Sequence, residues 1–67
     1  MKAYERQSKV QGYTFNTAAL LKEITGEVSL TKLKSLTADF IETIGATEEE
    51  INNAFFFTCN EFDITVD

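Results

Sequence analysis

The sequence predicts a mostly α fold, a small three-helix domain with two short terminal β-strands as its candidate closure. Three observations carry that expectation. Thr47 is followed three residues later by Glu50, the signature of a capping box that opens a helix. Leu30, Leu33, Leu36, Thr37, Phe40, Ile41 and Ile44 recur at steps of three and four, the period of one helix face. Gly26 and Gly45 stand just past such segments, where left-handed caps end helices.

Taken in order, residues 1–9 are polar, mildly basic and aperiodic, and read as a flexible N-terminal arm ahead of a single domain over 10–67. Residues 10–15, VQGYTF, read as a short strand, because Val, Tyr, Thr and Phe favour strands and Tyr13 alternates with Phe15. Asn16 is a good N-cap, and Phe15 and Leu20 are spaced as a hydrophobic staple, so a first helix is expected over 17–25. Leu20, Leu21 and Ile24 give it a narrow apolar face. Ser29 caps the second helix, which runs to Gly45; Ser35 and Thr37 are weak helix formers and mark a candidate break near its middle. Only Ala46 separates Gly45 from Thr47, so the second and third helices are expected to pack on each other.

In the third helix Glu48, Glu49 and Glu50 occupy the first turn, where the helix dipole favours carboxylates. Ile51, Ala54, Phe55, Thr58, Cys59 and Phe62 then form a core-facing stripe of roughly 140°. Phe56 and Phe57 fall on either side of it, so at least one of those rings is expected at the surface. Near the end Phe62, Ile64 and Val66 alternate with Asp63, Thr65 and Asp67. A strand over 62–66 is therefore expected, paired with 10–15, since two short extended pieces need each other.

At 67 residues a chain buries only about 60% of the surface its unfolded form exposes, and its stability is marginal. One cysteine and no histidine leave neither a disulfide nor a zinc spacing to reinforce it. A hydrophobic content of 43%, with six Phe and two Tyr, still suffices for a small core and argues against disorder. No apolar run approaches the roughly 18 residues of a membrane span, and no secretory leader pattern opens the chain. A cytoplasmic protein without membrane attachment is expected.

The net charge of −5 is unevenly placed. Residues 1–38 hold six basic and three acidic side chains, a balance of +3; residues 39–67 hold eight acidic ones and no Lys or Arg. Such a field repels nucleic acid and steers toward basic protein surfaces. Acidity that merely keeps a small apolar protein dispersed is the plainer reading of the same numbers.

Chemistry is sparse. Without histidine the commonest general base and metal ligand is missing. Cys59 has no cation near it in sequence to favour a thiolate, and its place on the apolar stripe reads as a buried core thiol. Asp39 with Glu42, and Glu23 with Glu27, read as solvated helix faces. The 48–50 glutamates do not match a calcium loop, and no glycine-rich phosphate loop appears. No enzymatic activity, cofactor or metal is expected. A helix-turn-helix regulator is compatible with three short helices, but a recognition helix bearing four glutamates would repel phosphate. Direct nucleic-acid binding is therefore disfavoured.

What stands out is aromatic rings set among acids, the composition of a face that docks on a basic, partly apolar partner. The expected partner-binding set is Glu48, Glu49, Glu50, Phe56, Phe57, Glu61 and Asp63. Its partner would be a protein with a basic surface, such as a nucleic-acid-binding protein that an acidic mimic could inhibit. The alternative is a homo-oligomer that buries the same rings against copies of itself.

The order of extended entry, Phe-Asn, short helix, Thr-Gly and leucine-rich helix in YTFNTAALLKEITGEVSLTKLKSL resembles small phage tail-assembly chaperones. The resemblance rests on common residue types over at most half the chain, and the longer body of those proteins is missing. It implies a phage or mobile-element accessory or assembly protein, without catalysis.

Overall fold

A computed structural model describes residues 2–66. Among the described residues three helices and two very short strands follow one another as α1 (Ala3–Thr25), β1 (Val28–Ser29), α2 (Leu30–Ile44), α3 (Glu48–Glu61) and β2 (Ile64–Thr65). The mostly helical three-helix domain expected from the sequence is what forms.

α1 is the spine. Its 23 residues span about 34 Å at 1.5 Å each, nearly the 35 Å long axis of the molecule. Val10, Thr14, Ala18 and Leu21, at steps of four, four and three, are its buried stripe. This overturns two expectations. Residues 3–9 are the first turns of the helix and not a loose arm, and residues 10–15 are its middle and not a strand. Met1 lies outside the described residues. Asn16, expected as a cap, is an exposed mid-helix residue. Lys2 precedes α1 as an N-cap that makes no side-chain capping bond, and Gly26 follows it, its φ of 83° letting its N–H bond to the Lys22 carbonyl in a left-handed cap.

α2 matches its expected span. The Ser29 hydroxyl accepts the Lys32 N–H at 3.2 Å. No break occurs at Thr37, because its hydroxyl donates to the Leu33 carbonyl at 2.8 Å within the same helix. At the far end Gly45, at φ 72°, donates to the Glu42 carbonyl and Ala46 to that of Ile41, a Schellman motif. Three residues later α3 opens on the capping box. Glu50 N–H donates to Thr47 Oγ1 at 3.2 Å, and Thr47 N–H donates to Glu50 Oε1 at 2.8 Å.

The two strands form a parallel pair, Val28 opposite Ile64 and Ser29 opposite Thr65. The C-terminal piece thus pairs with the α1–α2 joint, not with residues 10–15, which are helical. Parallel strands need a long crossover between them, and α2 with α3 supplies it. Around this pair sits the core, Ala18, Leu21, Val28 and Leu33, with Phe55, Phe62 and Ile64 packed against it.

Small side chains dominate the interior. Ala18 and Ala54 are fully buried, as are Thr14, Thr37 and Thr58, which lets helices approach closely. Thr37 and Thr58 direct their hydroxyls to carbonyls one turn back, whereas Thr14 Oγ1 has no hydrogen-bond partner among the described residues. None of the eight aromatic rings is fully enclosed.

Candidate functional site

α1 receives both other helices, and it receives α3 most extensively. The N-terminal end of that seam is polar. Arg6 Nε donates to Glu50 Oε1 at 2.6 Å, the same oxygen that accepts the Thr47 N–H. Gln7 Nε2 donates to the Glu50 carbonyl at 3.0 Å, and Asn53 Nδ2 to Gln7 Oε1 at 3.3 Å. The Arg6 hydrogen bond, seconded by the Thr47 N–H, holds the Glu50 carboxyl below its ordinary range. The same bond raises the Arg6 guanidinium further still.

Glu50, only 7% exposed, is thereby removed from the expected partner-binding set. It is a structural clasp between α1 and α3. Sequence spacing found its capping role but not the arginine that joins it from 44 positions away.

The other members of the set are distributed along α3 and the segment after it. Phe56 is 71% exposed. Helix geometry puts it on one face with Glu49, two turns earlier, and Asn60, one turn later; both are exposed. Glu48 is exposed on a different flank. Phe57, at 40%, is only partly free, because Phe15 of α1 meets it with ring centres 5.8 Å apart. Phe15 also lies 5.0 Å from the Phe62 ring, so it divides its cover between two aromatics. Glu61 and Asp63 are exposed beyond Phe57. The structure therefore gathers Phe56 with Glu49 and leaves Glu48, Glu61 and Asp63 as separate surface charges.

A second feature escaped the sequence reading. α2 and α3, despite the tight turn joining them, barely touch each other. Each buries one face on α1, and between them runs an open groove of about 710 Å³. Leu30, Ala38 and Ile41 line one wall, Ile51, Phe55 and Cys59 the other, with Gly45 and Ala46 at the turn. Cys59 is exposed there and is not the buried thiol its stripe position suggested. The legible signal was width: Ala38 and Ile41 on α2 and Cys59 on α3 extend their apolar faces beyond what one contact covers.

Among the described residues no three Cys, Asp or Glu side chains converge as they would around a metal ion. Among the same residues no helix is long and apolar enough to cross a membrane. No protein-family model matches the chain, and no curated protein or solved structure gives a significant match. The likeness to tail-assembly chaperones finds no counterpart in these comparisons.

Proposed function

We propose that this chain is a non-enzymatic protein-interaction module that sets the Phe56 face of α3 against a basic, partly apolar protein surface. The observation that supports it is Phe56, a large ring 71% exposed on a helix that holds no cation. Burying such a ring in a partner pocket is the kind of contact that dominates interface energies. Glu48, Glu49, Glu61 and Asp63 supply the negative field that draws a basic partner in. Phe57, braced by Phe15, widens the apolar patch. Glu50 takes no part in steering, since Arg6 already neutralises it.

Capture from an extract of the native host by the wild-type chain and by Phe56→Ala tests the reading. Wild type is expected to retain a basic protein, and Phe56→Ala to lose at least about 2 kcal/mol of affinity for it. Its melting temperature should stay near wild type, because the ring contributes little to the core. In Glu48→Lys/Glu49→Lys the salt dependence of binding should flatten. Equal retention by Phe56→Ala and wild type would reject the proposal.

A further inference from the structure

The α2–α3 groove lies off the Phe56 face, about 100° around α3 from Phe56 to Phe55, and it has a pattern of its own. Along its α2 wall the lining residues include Leu30, Lys34, Ala38 and Glu42, and Ala46 lies at the turn. These positions are spaced four apart, and Ala38 is the midpoint. Opposite charges stand one turn to either side of it, a large apolar residue stands at one end, and a small one at the other. Neither Lys34 nor Glu42 has an ion-pair partner within the described chain.

Such an arrangement is self-complementary under two-fold rotation. An isologous interface places residue i against residue j and residue j against residue i. With the axis at Ala38 and the two α2 helices antiparallel, Lys34 of each copy faces Glu42 of the other. Leu30 of each copy faces Ala46 of the other, large against small. Ala38 meets its own counterpart, where a methyl group permits close approach of two backbones. Ile51 and Phe55, on the α3 wall, flank the joint with apolar surface. We infer that the groove is the contact between two copies of this chain, paired about an axis through Ala38.

The protomer itself gives a reason for pairing. Leu33, Val10 and Val28 are its largest fully buried apolar side chains, and every aromatic ring keeps some exposure. An enclosed groove would place Phe55 and Ile51 in a complete core. Phe56 stays outside that contact, so a pair would carry two docking faces and not one.

Sedimentation equilibrium from about 1 µM to about 1 mM covers the weak-to-moderate affinity range and tests this directly. The wild type should pass from monomer to dimer. Lys34→Glu alone, or Glu42→Lys alone, sets like charges opposite each other twice, and each should raise the dissociation constant about tenfold or more. The double variant Lys34→Glu/Glu42→Lys restores both pairs and should return to the wild-type constant. All these positions are exposed, so circular dichroism should show unchanged folding.

Cys59 serves as the local probe. Its maleimide labelling should slow as wild-type dimer accumulates and should not slow in Lys34→Glu at the same concentration. A wild type that stays monomeric throughout overturns the inference and leaves the groove to a helix from another protein. A double variant as weak as the single ones overturns it as well. So does a dimer in which Cys59 labels at the monomer rate.

Discussion

The two junctions that α3 makes differ in kind. Toward α1 it is seated by directional polar contacts, Arg6 and Gln7 on Glu50 and Asn53 on Gln7, above a row of small buried residues. Toward α2 it is joined by a three-residue turn, yet the space between them stays open. Proximity along the chain thus gave no packing, whereas residues more than forty positions apart make the seam. A helix has one face to bury most deeply, and both α2 and α3 commit that face to the longer α1. What remains of their apolar surface looks into the groove.

The largest expected effect comes from the side of the comparison that holds α2 in place. Leu33 is fully buried in the core between α2 and α1. Leu33→Ala should lower the unfolding free energy by about 2–5 kcal/mol, enough to unfold much of so small a domain. Urea denaturation checks it. A loss under about 1 kcal/mol would mean that α2 is not anchored on α1 as described.

The polar seam gives a smaller effect with a pH signature. Glu50 has a folded pKa below its ordinary value, so its contribution is present above the ordinary glutamate range, near 4.3. It is lost as pH falls through the lower folded value. Stability of the wild type should therefore drop on that acid limb. Glu50→Gln keeps the shape but removes the charge, and its melting temperature should be lower at neutral pH and flatter against acid. An acid limb as steep in Glu50→Gln as in wild type would assign the drop to other carboxylates.

The smallest effect has the opposite sign. Gly12 is an exposed residue inside α1, with nothing within 4 Å of where a Cβ would stand. Gly12→Ala should stabilise the protein by about 0.5–1 kcal/mol, read as a higher denaturation midpoint. That gain should appear without any change in groove properties such as Cys59 labelling, since it strengthens the spine alone. A destabilised Gly12→Ala would contradict an uninterrupted α1.

Much of this was legible in the residues. Ser29, the leucine period and Gly45 marked α2 to its ends, and Thr47 with Glu50 marked the start of α3. The first half of α1 was not legible. Its buried stripe runs through Thr14 and Ala18, which carry little hydrophobic signal, while Val10, Tyr13, Thr14 and Phe15 favour strands when read locally. Gly12 added a false interruption, and Lys2 offers no side-chain cap. Tertiary contacts overrule those preferences. The Phe56 exposure followed from its angle on the helix; the half cover of Phe57 depends on Phe15 from another helix. Glu50 and Cys59 were misassigned for the same reason, since their surroundings are set by α1 and by the absence of α2 packing.

Tyrosine placement has a practical consequence. The chain has no tryptophan and two tyrosines. Tyr13 lies flat on Phe40, ring centres 4.2 Å apart, where α1 meets α2; Tyr4 lines the shallow hollow between α1 and α3. Ultraviolet emission from the unlabelled protein therefore has one source at each junction, and a Tyr4→Phe or Tyr13→Phe exchange silences either. Loosening of the two sides of this fold can be timed separately, by light alone.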